Sequence, residues 1–426
     1  MNEAFAIDRP AGFKISYRRL LNVVFWICAA SGSIVFIEPS PYDLLFLLTL
    51  ILWTLGGFSI HRAVLPFVVL IGLWVLGGYF ALIPYWNEPD PTSFMTYTVF
   101  ISTTGIFYAL FFSENTKERI EICFQGYVFS CGLAAVIAVV TWIGTFGSGE
   151  DLIKDGRAML PFKDPNVLGS YMVPGITYLV QKLLLGRSKW LIVHLVALGF
   201  SATALFLSFS RGSWAACVIS VLTLTILSFM TAGTRKLRRR ILFSAAIVAL
   251  VSVAAVLIAL SNDQIRAFFF TRATVTQDYD EGPTGRFGNQ IRSIPMLLER
   301  PNGFGPLRFR LIFDLDPHNG FINAFASNGW LGGFAFIAIV LMTTYVGFRG
   351  ALTNSPFVRE MQVVWCSTFV FFLQALQIDI DHWRMFFVTF GAVWGVEAAR
   401  VRWKESQARY RALQPIPVSS PEFFRS

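Results

Sequence analysis

Between Ile241 and Leu260 the chain runs for twenty residues without a charged side chain, enough to cross about 30 Å of hydrocarbon as a helix. Comparable runs recur along the whole sequence, near residues 20–37, 42–59, 63–84, 93–112, 122–146, 167–185, 190–209, 212–232, 241–260, 327–347, 361–378 and 384–399. A composition of 55% hydrophobic and 14% charged residues could not be hidden in a water-soluble globule without covering its surface in apolar patches, so lipid is the solvent for much of the chain. The expectation is an all-α fold: a polytopic integral membrane protein with about twelve transmembrane helices, one domain over residues 1–426. The least distinct runs are 93–112, rich in Ser and Thr, and 167–185, which holds Gly169, Pro174 and Gly175. Arg18 and Arg19 ahead of the first run, with small residues after it, outline a signal peptide. The next run starts within a few residues, however, and a retained helix fits better. Cys28, Cys123, Cys131, Cys217 and Cys366 lie in or beside apolar runs with no CxxC, which argues against a disulfide framework and a structural zinc.

Charge gives the orientation. Placing alternate loops on the cytoplasmic side puts 23 of the 35 Lys and Arg there and about 17 of the 26 acidic residues outside, dividing the net +9 into about +14 inside and −5 outside. This is the positive-inside bias; the basic balance reflects topology, with some attraction to anionic lipid, and requires no nucleic acid. Both termini are expected in the cytoplasm, including a tail, 401–426, of alternating charge followed by Pro415, Pro417 and Pro421.

Polar residues collect on the outer side. The segment 261–326 is far longer than its neighbours, and its many Phe residues argue for an ordered loop. Within it Phe287, Ile291, Ile294 and Leu298 have the spacing of a helix lying on the membrane surface, with Pro295 as a kink and Arg286, Asn289 and Ser293 on the other side. Shorter outer clusters are 147–166, the tight turn from Ser208 to Ser213, and Ile378 to Arg384. Arg211 sits where two runs join through a loop too short to lift it into bulk water, so it faces a polar cavity or anchors a helix end. Of four histidines, His318 and His382 are expected outside; His194 reads as a packed residue and His61 as cytoplasmic. Asp314-Leu315-Asp316 and Asp379-Ile380-Asp381 have the form of metal-diphosphate ligands, but nucleotide sugars are cytoplasmic and both strings fall outside, so no metal site is assigned.

Three of these segments, in this order, resemble the O-antigen ligase and polysaccharide polymerase superfamily of bacterial inner membranes. His318-Asn319-Gly320-Phe321-Ile322 and Gly329-Trp330-Leu331-Gly332 are similar to its His-Asn-x-Tyr-Leu and following Gly-Leu-Leu-Gly; Ser210-Arg211-Gly212 is similar to its Ser-Arg-Gly. Gly285-Arg286, Arg300-Pro301 and Gly303-Phe304-Gly305 are similar to the Gly-Arg, His-Pro or Arg-Pro, and Gly-x-Gly of its outer loop. Asp164-Pro165-Asn166 resembles an element of the exopolysaccharide branch. Two departures stand out: Phe321 replaces a Tyr, and Ser327 a frequent Glu.

The resemblance implies a GT-C-like membrane fold and an enzyme that transfers a glycan from a polyprenyl (undecaprenyl) diphosphate carrier to an acceptor hydroxyl on the periplasmic face of the inner membrane. The type is polymerase or ligase, and the reaction is metal-independent and cofactor-free. The residues suit that chemistry. Arg211 and Arg286 can take up charge on the departing diphosphate through paired hydrogen bonds, and His318 can accept the hydroxyl proton, as an imidazole with an ordinary pKa near 6.5 does at neutral pH. A single displacement inverts the anomeric carbon. Asn319, Arg300, Asp164, Asn166, His382 and Arg384 are expected to contact substrate, with His382 the rival base. A lipid-linked glycan flippase or other transporter is the alternative; against it, the ionisable groups gather at one outer face rather than at mid-membrane.

The charge division predicts that a cysteine placed at Asn302, after replacement of the five native cysteines, reacts with an impermeant probe in intact cells. Reaction only after lysis would overturn the assigned orientation.

Overall fold

The computed structural model describes residues 16–35, 39–145, 153–186, 190–274 and 282–413. Within them every apolar run is a helix, and the expectation of an all-α membrane protein is borne out. The long helices are α1 (Tyr17–Ala30), α2 (Pro41–Leu55), α3 (Leu65–Leu82), α4 (Pro89–Phe111), α5 (Thr116–Thr145), α6 (Pro165–Leu185), α7 (Leu191–Leu207), α8 (Arg211–Met230) and α9 (Arg235–Ala259). Three short helices follow, α10 (Asp263–Ala273), α11 (Arg286–Leu298) and α12 (Phe309–Phe313), and then α13 (Gly320–Leu352), α14 (Val358–Gln374) and α15 (Arg384–Leu413). Among the described residues, six of the long helices (α3 with its flanking turns, α4, α5, α8, α9 and α13) are long and apolar enough on their own to cross a membrane. A two-residue hairpin, β1 (Ile153–Lys154) against β2 (Arg157–Ala158), precedes α6.

Apolarity and burial run in opposite directions here. The most apolar helix, α9, buries only Ile241 against the protein, whereas α6, one of the least distinct runs in the sequence, is buried along most of its length. Lipid is as apolar as leucine, so a hydrophobic helix gains nothing by leaving it; helices are drawn inward by close packing and polar contacts. Thus Thr177 of α6 bonds Ser220 of α8 at 2.8 Å, and Gln374 of α14 donates to Ser170 of α6 at 2.8 Å. The α3–α13 crossing depends on small residues in the same way: a Cβ on Gly77 would lie 2.5 Å from the Asn328 carbonyl and the Gly332 amide.

Charges sort by bundle end. At one end Arg18 pairs with Glu118, Lys182 with Glu121, Arg62 with Glu405, and Arg349 and Arg400 with Glu397; at the other Arg308 pairs with Glu88, Arg384 with Asp43 and Arg310 with Asp316. Each pair joins residues that the loop alternation assigns to the same side.

The long segment after α9 is ordered in the parts described. Its α10 lays Phe268 and Phe269 on Phe209 and Trp214 at the α7–α8 turn. Its second half is tied to α13, which already begins at Gly320, so 320–326 is helical. Gly329 breaks α13 with φ +63°, a conformation that suits glycine, and the break frees the Trp330 amide to donate to the Pro301 carbonyl at 2.7 Å. The amides of Phe304 and Gly305 both reach the Ala326 carbonyl. The Arg300-Pro301, Gly-x-Gly and Gly-Trp-Leu-Gly motifs therefore form one structural joint.

Candidate active site

Each of the remaining motifs is a helix start. Asp164 caps α6, accepting from the Asn166 amide at 2.6 Å with Pro165 at the first helical position. Ser210 caps α8, so that Arg211 is its first residue. Gly285 opens α11 and makes Arg286 its first residue, and Asn319 caps α13 by accepting from the amides of Phe321 and Ile322. A helix start carries unpaired N–H groups and a positive partial charge.

Contacts gather these starts. α6 and α8 meet through Ser213 Oγ, which donates to the Asn166 carbonyl at 3.2 Å. The β-hairpin presents Arg157 across the same junction, where it donates to Asn166 Oδ1 at 2.8 Å and to the Ser208 carbonyl at 2.9 Å. The loop from α14 to α15 supplies the rest. Its Gln377 amide fills the space beside Gly212, where a Cβ would come within 2.6 Å of it, and the Gln377 carbonyl accepts from Arg286 at 3.5 Å. Asn319 Nδ2 donates to the Leu376 carbonyl at 3.0 Å, and the Gly320 amide to the Ala375 carbonyl at 2.7 Å. The Asp379 carboxylate accepts from the His318 and Asn319 amides, both at 3.1 Å, which holds His318 in a left-handed turn with φ +46°. One short loop thus joins the starts of α8, α11 and α13, with Arg211, Arg286 and His318 around it. Arg211 also donates to the Thr274 carbonyl at the end of α10.

Two guanidinium groups at converging helix starts suit an anion with several oxygens. Electrostatics differ on the neighbouring loop. Burial, with Asp381 and Asp316 adding to it, pushes the Asp379 carboxyl well above the usual carboxylate range, and the two amide donors only partly offset this. Burial lowers the His382 imidazole, which Asp381 opposes.

The expected substrate contacts divide into two groups. Asp164, Asn166 and Asn319 stand at this junction with their side chains engaged in the capping and bridging bonds above. The other three do not join it through any of these contacts. Arg300 is exposed with its guanidinium 5.4 Å from the centre of the Phe304 ring. His382 packs edge-on to Phe94 and lies 3.0 Å from Thr98 Oγ1. Arg384 grips Asp43 with two bonds of 2.9 and 2.8 Å and also reaches Tyr97, fastening α15 to the capped start of α2. Three of the four carboxylates in the two Asp-x-Asp strings are likewise engaged: Asp316 by Arg310, Asp379 as above, and Asp381 by Asn323 Nδ2 at 3.0 Å. Among the described residues no group of three or more His, Cys, Asp or Glu has a metal-holding arrangement. Ser327, at the position of the frequent Glu, donates to Asn323 at 2.9 Å, so this position connects through Asn323 to Asp381.

Sequence reasoning passed over Gln377, Gln290 and the backbone role of Asp379, and noted Arg157 only within a polar cluster. A polar Gln-x-Asp at the end of an apolar run was the available signal, and the Asp-x-Asp spacing drew it toward metal chemistry.

Residues 196–337 match the family model described as O-Antigen ligase, a stretch that contains Arg211, Arg286, Arg300, His318 and Asn319. The likeness to the O-antigen ligase and polymerase superfamily is borne out over that stretch. A search of curated proteins finds no match.

Asp379 generates a pH prediction. Its folded carboxyl binds a proton more tightly than the unfolded one, so its stabilising contribution is full below the ordinary carboxylate pKa of about 4 and is lost as pH rises through the raised value. The melting temperature in detergent should fall with rising pH over that window, and Asp379→Asn should flatten the slope. An unchanged slope in the variant would place the titration elsewhere.

Proposed function

We propose that the outer end of the bundle transfers a glycan from a polyprenyl diphosphate carrier to an acceptor hydroxyl at the periplasmic face of a bacterial inner membrane. The observation that carries this reading is the junction at Gln377, where the first residues of α8 and α11 are both arginines and His318 is held on the same loop. The bond between the anomeric carbon and the carrier diphosphate breaks, leaving its electron pair on the diphosphate, where Arg211 and Arg286 take up the charge. The acceptor oxygen bonds the anomeric carbon from the opposite face and inverts it, and its proton passes to the His318 imidazole. A diphosphate leaves without a general acid, and the step uses neither metal nor cofactor. The Thr274 carbonyl on Arg211 is the group the carrier phosphates would displace.

Within this class the acceptor distinguishes a polymerase, which extends another lipid-linked glycan, from a ligase, which uses a lipid or protein. The Asp164-Pro165-Asn166 element favours a polymerase, and in the fold it braces the start of α8 on which Arg211 stands. Asn319, Asp164 and Asn166 act here by holding that junction in shape. Arg300 and His382 remain candidates for contact with the extended glycan, whereas Arg384 acts by fastening α15 to α2 through Asp43.

Purified protein given a lipid-linked repeat should form longer chains. Arg211→Ala and Arg286→Ala should abolish transfer, with Lys at either position restoring only part because the planar fork is lost. His318→Ala should lower turnover by about 10² to 10⁴ while carrier binding survives. Near-normal product from any alanine variant removes that residue from the mechanism, and a large loss in His382→Ala alone would transfer the base to His382.

Chelation tests the absence of a metal step. Product formation should persist in EDTA; strong inhibition reversed by Mg²⁺ would make one of the Asp-x-Asp strings a ligand pair.

A further inference from the structure

α11 is inverted relative to an amphipathic helix of a soluble protein. Its polar side faces inward, with Asn289 2% and Ser293 0% exposed, while Ile291 is 69% and Leu298 66% exposed. Phe287, Ile291, Ile294 and Leu298 form one open stripe at helical spacing. The stripe is continuous with the outward side of the membrane helix α13. Trp330 Nε1 donates to the Leu297 carbonyl at 2.9 Å, and Trp330, Leu331 and Phe334 are themselves exposed large hydrophobics. A stripe of this size next to a membrane-spanning surface calls for acyl chains as its cover.

The inward side reaches the proposed base. Gln290, one turn after Arg286, donates from Nε2 to the Pro317 carbonyl at 2.9 Å and to the His318 carbonyl at 3.4 Å. Asn289 Nδ2 donates to the carbonyls of Thr284 and Phe313. His318 is thus held from two sides, its amide by Asp379 and its carbonyl by α11. The helix that carries Arg286 also sets the position of the turn that carries His318.

We propose that α11 docks on the outer leaflet of the bilayer through its apolar stripe, and that Gln290 transmits this seating to His318 as a positioning residue. The inference rests on the base role of His318 proposed above. Lipid then helps to fix the spacing between the Arg286 guanidinium and the imidazole, and an error of about 1 Å in such a spacing costs on the order of a hundredfold in rate.

The docking is read with an environment-sensitive nitrobenzoxadiazole probe on Ile294→Cys, in full-length protein lacking the native cysteines and reconstituted in phosphatidylcholine and phosphatidylglycerol vesicles. Lipids with a doxyl group at acyl carbon 5 should quench it while aqueous iodide does not, and a probe at Asn302 should behave oppositely. Quenching at position 294 by iodide and not by doxyl lipid overturns the docking. The transmission is read by kinetics in the same vesicles. Gln290→Leu, and separately Ile291→Asp with Leu298→Asp, should lower kcat by about tenfold to a hundredfold with KM for the carrier little changed. An unaltered kcat in Gln290→Leu, or a loss confined to KM, overturns the positioning role. His318→Ala is measured beside them: full activity there refutes the base itself, while the probe result still decides where α11 sits.

Discussion

Every helix begins with backbone N–H groups that no preceding turn can accept, and at a membrane surface, where water is scarce and leaving them unpaired is costly, the sequence must provide their partners. That requirement organises the end of the bundle where these helix starts meet. Asp164, Ser210 and Asn319 are caps before they are anything else, and Arg211 and His318, to which the proposed function gives the chemistry, are immediate neighbours of Ser210 and Asn319. Because the caps must hold their geometry, the residues beside them inherit fixed positions. The cap also leaves each helix start electropositive, which suits the binding of an anion.

The α14–α15 loop converts separate helix starts into one site. Gln377 occupies the space that Gly212 leaves open and its carbonyl accepts from Arg286, while Asp379 holds the backbone of the His318 turn. The function of these loop groups is to make the distance between α8, α11 and α13 a property of hydrogen bonds rather than of lipid-exposed helix packing, which is loose where a helix such as α9 buries almost nothing. Ion pairs at the two ends, such as Arg384 with Asp43 and Arg349 with Glu397, fasten the rest of the bundle in a region where apolar burial provides no net pull between helices.

Several family-like motifs prove to be joints. Arg300-Pro301, Gly303-Phe304-Gly305 and Gly329-Trp330-Leu331-Gly332 meet where the long segment before α13 exchanges amide–carbonyl bonds with broken α13. That placement explains their spacing by backbone hydrogen bonds at the break in α13.

The sequence by itself determined the helices and their approximate number, and placed a helix at α11, because membrane insertion is decided by local hydropathy and helix starts by local capping residues. It also marked Arg211, Arg286 and His318, whose charge or titratable ring is hard to place beside lipid without a purpose. Tertiary structure alone decided that Arg384 is committed to Asp43, that the polar side of α11 faces inward, and that Gln290, Gln377 and Asp379 hold the site together. Apart from the Arg384–Asp43 ion pair, these depend on contacts to backbone atoms far apart in the sequence. Any residue supplies a carbonyl or an amide, so the identity of the partner leaves no trace in the sequence, and only the folded chain shows which ones are near.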